Sequence, residues 1–203
     1  YCLISVMNPI EKKLHGFPYK IILGSASPRR QELLKSLGFS FEVSPTHTGE
    51  NFPENLKAQD IPLFLAKKKA DAFERELTSG ELLITSDTVV WCDEKIYNKP
   101  ADFTEASQML KELGGKMHEV FTAVCLTSKN KQVLFYDTSR VYFKSFSNDE
   151  IAFYLHNYRP YDKAGAYGVQ DWLGYTGIEK IEGSFYNVMG LPLKKLWDEL
   201  MKF

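Results

Sequence analysis

Residues 23 to 34, LGSASPRRQELL, place two arginines, Arg29 and Arg30, in what reads as the first turn of a helix. The helix macrodipole is positive at that end, so each cation there costs about 0.3–1 kcal/mol unless a negative group offsets it. With the hydroxyls of Ser25 and Ser27 and the free backbone N–H groups of the turn, the two guanidiniums make a surface of the kind that binds phosphate oxygens. The competing reading is a surface helix with solvated arginines; the small, sharp turn before them favours phosphate. The stretch is not a Walker loop, because GxxxxGK[ST] is absent.

Asp87 interrupts the apolar run LLITSDTVVWC. A carboxylate there must be paired, metal-bound or protonated, unless it sits at a strand end hydrogen-bonded to backbone N–H groups. Lys69, Lys99 and Glu50, the last in THTGENFP, are ordinary surface residues unless they face one cleft. In DKAGAYGVQ, Gly165 and Gly168 allow close backbone approach to a ligand and Gln170 offers a donor and an acceptor side by side, although a tight connection between elements would also use these glycines. His15, His47, His118 and His156 show no nucleophile pattern, so no histidine-based triad is expected.

The elements that must position these residues alternate strand and helix. Lys20–Leu23 is a short strand; Ser27 then caps a helix with Pro28 at its first position and Leu33, Leu34 and Leu37 on one face, closed by Gly38. Asp60 is expected to cap a second helix carrying Leu63, Ala66, Ala70, Phe73 and Leu77, with Lys69 at the edge of the stripe. Leu82–Cys92 reads as a buried strand turning at Asp93-Glu94 into Ile96-Tyr97, and Thr104 starts a third helix that Gly114-Gly115 ends. Two long strands, around Glu119–Thr127 and Val133–Phe146, join through SKNK. Ser147–Glu150 is a capping box for a helix with Ile151, Tyr154, Leu155 and Tyr158. A hairpin around Glu182-Gly183 and a closing helix from Pro192 with Leu196, Trp197 and Leu200 complete the chain.

With 203 residues, 44% of them hydrophobic, the chain can bury a substantial core. Lys and Arg number 25 against 26 Asp and Glu, so at net charge −1 no long-range field draws the molecule to nucleic acid or an anionic membrane. Three cysteines, Cys2, Cys92 and Cys125, lack CxxC or Cys/His spacing, which argues against a disulfide framework or zinc site and fits a reducing cytoplasm. No signal peptide or membrane span is read, and Tyr1–Val6 is expected to lie upstream of a start at Met7. Residues 1–18 are read as an N-terminal extension and 19–203 as one domain.

GSASPRRQELL, SDTVV with the following NKP, AxxMLxxLGGxxHEVFTAV, DKAGAYGVQ and IEGSFYNVMGLP, in this order from about Lys20 to the C-terminus, together resemble the Maf family of nucleoside triphosphate pyrophosphatases. The resemblance implies an α/β fold, an elongated mixed sheet with flanking helices in two lobes around a central cleft, related to inosine triphosphate pyrophosphatases. It implies hydrolysis of the α–β phosphoanhydride of a nucleoside triphosphate with a divalent cation, Mg²⁺ or Mn²⁺, and the option of a homodimer. Ser25 to Arg30 then meet the triphosphate, which would be the negative group opposite the arginines. Asp87 falls on the family's proton acceptor and metal ligand, Glu50 on a second metal ligand, and Lys69 and Lys99 on the lysines of the phosphate channel. THTGENFP departs from the family's more acidic DVDE-like stretch, which leaves fewer carboxylates for the metal at Glu50.

Arg29, Thr88 and Gln170 resemble the branch acting on dTTP and UTP, where the 7-methyl-GTP branch carries an aromatic residue, a glutamine and a glutamate. A glutamine amide can donate to O4 of uracil or thymine and accept from N3–H, whereas a glutamate suits the donor-rich edge of guanine. The alternatives are a 7-methyl-GTP pyrophosphatase and a catalytically idle nucleotide-binding regulatory protein. A nucleic-acid-binding role through Arg29, Arg30 and Lys67–Lys69 fits the balanced charge poorly.

Overall fold

A computed structural model of the chain describes residues 8–203; the readings placed on Tyr1–Val6, Met7 and Cys2 lie outside the described residues. In chain order the elements are α1 (Pro9–His15), β1 (Lys20–Leu23), α2 (Pro28–Ser36), β2 (Phe41–Val43), α3 (Asp60–Asp71), β3 (Glu81–Cys92), β4 (Lys95–Tyr97) and α4 (Phe103–Leu113). They continue with β5 (Met117–Thr127), β6 (Gln132–Phe143), α5 (Asn148–Tyr158), a 3₁₀ turn (Ala164–Ala166), α6 (Trp172–Gly177), β7 (Ile178–Glu182), α7 (Phe185–Met189) and α8 (Leu193–Leu200).

The strands form one mixed sheet in the order β2-β1-β3-β5-β6-β7, with β4 also paired to β3. β1 is parallel to β2 and β3, and the remaining pairings are antiparallel. β3 is buried along almost its whole length, as a strand rich in β-branched and apolar residues requires, and the burial includes Asp87. One edge of it pairs with β5 from Leu83 to Trp91. The other edge is shared: β1 covers Glu81–Ile84 and β4 covers Val90–Cys92, so among the described residues Thr85–Val89 have no strand partner on that side. Asp87 lies in this gap.

The long strands carry two cores that flank the gap. On one side Leu82 and Ile84 pack with Leu33 and Leu34 of α2 and Leu196 and Leu200 of α8. On the other, Val90 and Cys92 pack with Leu110 and Leu113 of α4 and Ile151, Tyr154 and Leu155 of α5. Each fully buried leucine or isoleucine contributes about 1.5–3 kcal/mol, so each core holds its own helices to the shared strands. The two-lobed α/β architecture with flanking helices is the one the sequence leads to. Residues of the expected N-terminal extension form α1, and Leu14 and Phe17 pack against the core of α2 and α8.

Several boundaries differ from expectation. Asp60 is the first residue of α3 and not its cap; Gln59 holds the cap position without a side-chain hydrogen bond. The helix ends at Asp71, yet Phe73 and Leu77 beyond it still pack against the apolar face that Ala66 and Ala70 begin. α4 is capped by Asp102, whose carboxylate accepts from Glu105 N at 2.9 Å, ahead of the expected start at Thr104. β6 stops at Phe143, short of Phe146. No hairpin forms around Glu182-Gly183: β7 ends there against β6, and Ser184 caps the five-residue α7.

Candidate active site

β1 sits between β2 and β3, and its chain turns outward at its carboxyl end, the position where open α/β sheets bind ligands. Gly24 begins that turn. Its N–H donates to Ile84 O at 2.8 Å, and a Cβ there would stand 2.7 Å from Thr85 Cγ2, so only glycine lets the loop lie this close to β3. Ser25 Oγ accepts from Ser27 N at 3.3 Å, and Ser27 caps α2 as expected, its Oγ accepting from Arg30 N at 3.5 Å. The loop opens into a cleft of about 750 Å³ that runs across the gap in the β3 edge.

Neither arginine is a solvated surface residue. Arg30 donates through Nε to Gly190 O at 2.9 Å, through Nη1 to Ser86 O at 2.8 Å and Ser25 Oγ at 3.5 Å, and through Nη2 to Thr88 Oγ1 at 3.1 Å. Burial pulls its pKa below the ordinary arginine value, against the opposing field of Asp87. Its charge is thus answered by carbonyl dipoles of β3 and of the turn after α7, and it ties that turn to the sheet. Arg29 reaches the other lobe, where Nη1 donates to Asp162 Oδ2 at 2.7 Å. Replacing Arg30 with alanine takes the Arg30 donor from the Ser86 carbonyl and leaves Gly190 O with only the Ser86 hydroxyl, at 3.4 Å, so Arg30→Ala is expected to destabilise the fold by about 1–3 kcal/mol, where relief of a solvated cation at a helix N-terminus would stabilise it. A thermal melt with unchanged or raised Tm would restore the surface-helix reading.

Strand alternation turns Thr85, Asp87 and Val89 toward α3. Thr85 Oγ1 donates to Ala66 O at 2.7 Å and Val89 packs on Ile61 and Leu65, which fixes α3 so that Lys69, in its last turn, faces the gap. Lys69 Nζ donates to Asp87 Oδ1 at 2.5 Å, with the two side chains only 15% and 9% exposed. Of the options open to a carboxylate in an apolar strand, Asp87 is paired. A buried ion pair is weak evidence for stability, because desolvation offsets its attraction, and in a cleft it points to function.

A second lysine–carboxylate pair, Lys99 with Glu50, lines the same cleft. Burial opposes ionisation of Glu50, but the hydrogen bond and charge of Lys99, aided by Lys69 and Arg30, outweigh it and hold the pKa below the ordinary carboxylate value. Lys68 keeps the loop in place, donating to the carbonyls of Gly49 and Asn51, both at 2.9 Å.

At the far end lies the loop DKAGAYGVQ. Gly165, at φ 70, backs onto the Val90 side chain, and Ala166 also has positive φ, 59. Gln170 reaches the cleft half-buried, and among the described residues no hydrogen bond engages its side-chain amide. Thr88 Oγ1 lies 3.0 Å from Thr122 Oγ1, which itself donates to Asn187 O at 2.8 Å. Of the two arginines it is Arg30 that touches Thr88, while Arg29 faces Asp162. His118, whose pKa burial lowers to about 3, is neutral beneath this loop and shares a 2.7 Å hydrogen bond with Tyr167.

The cleft brings together the ten residues expected to catalyse or to bind substrate or metal, Ser25, Ser27, Arg29, Arg30 and Glu50 from the first third, and Lys69, Asp87, Thr88, Lys99 and Gln170 beyond; Gly168 also lines it, whereas Gly165 does not and packs on Val90. Sequence reasoning missed Asp162 and Lys163, although they open the glycine-rich motif, and the carbonyls of Ser86 and Gly190, which no side-chain pattern could reveal.

Residues 20–203 match the family model described as Maf-like protein. A protein of Parabacteroides distasonis named dTTP/UTP pyrophosphatase is 47% identical over 186 residues, spanning 91% of this chain and 96% of its own. One of Bacteroides thetaiotaomicron with the same name is 49% identical over 185 residues, with 91% and 96% covered. Among solved structures, the Ham1 protein of Staphylococcus aureus superposes with a TM-score of 0.46 at 11% identity, covering 90% of this chain and 98% of that one.

Proposed function

The chain belongs to the Maf family, and from that premise we propose that it hydrolyses dTTP and UTP to the nucleoside monophosphate and pyrophosphate. The observation that carries the reading is the convergence on one cleft of the α2 N-terminus, the Asp87–Lys69 and Glu50–Lys99 pairs and the unengaged amide of Gln170. Relatives at 47–49% identity bearing the name dTTP/UTP pyrophosphatase support the substrate.

In this reading Asp87 orients the attacking water and takes its proton as the new oxygen–phosphorus bond forms at the α-phosphorus. The bond from that phosphorus to the bridging oxygen breaks, and pyrophosphate leaves. Lys69, Lys99 and Arg29 neutralise the triphosphate, with Ser25, Ser27 and the first N–H groups of α2 contacting its oxygens. Arg30 holds the floor of this site through Gly190 and Ser86. No covalent nucleophile is required, because transfer at phosphorus depends on positioning and charge stabilisation.

Among the described residues no three His, Cys, Asp or Glu side chains gather into a cage for a metal. That fits Mg²⁺, which takes one or two carboxylates and fills its shell with water and substrate phosphates. Asp87 and Glu50 are the carboxylates that would hold it. When bound, the cation supplies charge neutralisation at the phosphate oxygens.

We assign the enzyme to one domain from residue 19 to the C-terminus and to the cytoplasm, where its nucleotides occur and where buried thiols such as Cys92 and Cys125 stay reduced. Among the described residues no helix is long and apolar enough to cross a membrane. The test is a nucleotide panel with pyrophosphate and orthophosphate measured separately. UTP and dTTP are expected to release pyrophosphate only when a divalent cation is present, and orthophosphate with a diphosphate product would place attack at the γ-phosphorus and refute the proposal.

A further inference from the structure

The turn that carries Gln170 is held from below by groups that no reading of the sequence assigned. Tyr154, on α5, is fully buried, and its hydroxyl accepts from Gly168 N at 3.0 Å and donates to Asp171 Oδ2 at 2.9 Å. These two contacts lie on either side of Val169 and Gln170. The Asp171 carboxylate packs so tightly under the turn that a Cβ at Gly168 would collide with it. The same Oδ2 of Asp171 faces Lys163 Nζ at 3.6 Å, and Lys163 donates to Asp162 Oδ1 at 2.9 Å. Lys163 is 14% exposed and Asp171 17%, so both charges are largely withdrawn from water and depend on each other. Asp162 in turn accepts from Arg29 across the cleft.

We propose that Tyr154, Asp171 and Lys163 form a polar strut that sets the position of the Gln170 amide, making Tyr154 and Lys163 positioning residues for base selection. The proposal rests on the reading of Gln170 as the base-contacting group. A hydrogen-bonding pair discriminates between bases only if donor and acceptor are held in register with the ring edge, and a displacement of about 1 Å costs on the order of 10²-fold in rate. Two anchors on either side of Gln170 fix the turn against both translation and rotation. The core alone would not do this, since apolar packing is non-directional.

Three variants test it: Tyr154→Phe removes one oxygen, Lys163→Met removes the charge between Asp162 and Asp171 while keeping the stem, and Lys163→Arg restores the charge. The measurement is kcat/KM for UTP and for GTP, with a thermal melt of each variant. The expected result is a fall of about fivefold or more in the UTP to GTP ratio for Tyr154→Phe and Lys163→Met, and a ratio returning toward wild type in Lys163→Arg. Loss of both activities by the same factor would make the strut merely structural and overturn the proposal. If Tyr154→Phe does not fold, Lys163→Met against Lys163→Arg decides alone. Failure of the underlying reading looks different: wild-type protein would then show no preference for UTP over GTP, and the proposal would fall with it.

Discussion

Asp87→Asn is expected to lower kcat for UTP by at least about 10²-fold, the lower bound for loss of a general base. The substitution keeps the size of the side chain and its capacity to accept from Lys69, but removes the charge that attracts a proton and a cation. It also leaves the Lys69 ammonium facing a neutral amide. That costs less than leaving the largely buried ammonium with no partner, because the amide oxygen of asparagine still accepts from Lys69. The variant should therefore remain folded, and the backbone pairing of Asp87 with Ala123 of β5 is unaffected by the change. Stopped assays across UTP concentrations, with a melt to establish folding, separate the outcomes. Near-wild-type turnover in a folded variant would reduce the Asp87–Lys69 pair to a structural feature.

Gln170→Glu is expected to lower kcat/KM for UTP and dTTP by roughly ten- to a hundredfold, because a polar base edge left unpaired in a closed site costs about 1–3 kcal/mol. The glutamate still accepts from N3–H, but its second oxygen opposes O4, so repulsion replaces a hydrogen bond. Guanine presents donors at the matching edge and suffers less. A full switch to 7-methyl-GTP is not expected, since Thr88 stays committed to Arg30 and Thr122 and the floor of the cleft is unchanged. If the ratio of kcat/KM between UTP and 7-methyl-GTP does not move, Gln170 does not read the base.

How far the sequence discloses this site depends on how local each interaction is. Ser27-Pro28 and the Ser147–Glu150 capping box are legible because a cap bonds to backbone three residues away, and both stand as read. Asp60 and Thr104 mislead because a neighbour can hold the cap position instead: Gln59 does so without a side-chain hydrogen bond, and Asp102 accepts from Glu105 N. Gly183 suggests a hairpin turn because α7 is only five residues long, too short to display a helical period. The cluster of Ser25, Asp87, Lys69, Lys99 and Gln170 is recoverable only through the ordered set of motifs, since no periodicity says that these residues meet. The commitment of Arg30 to backbone carbonyls 56 and 160 positions away, and the hydrogen bond from Gly168 N to the Tyr154 hydroxyl, are contacts to main-chain atoms that leave no trace in residue type.

The claim that this cleft directs water to the α-phosphorus is tested most directly by hydrolysing UTP in ¹⁸O-labelled water and locating the label by mass spectrometry. The account predicts a single labelled oxygen in UMP and unlabelled pyrophosphate. Label in pyrophosphate would place attack at the β-phosphorus, label in orthophosphate would place it at the γ-phosphorus, and either result would contradict the role given to Asp87.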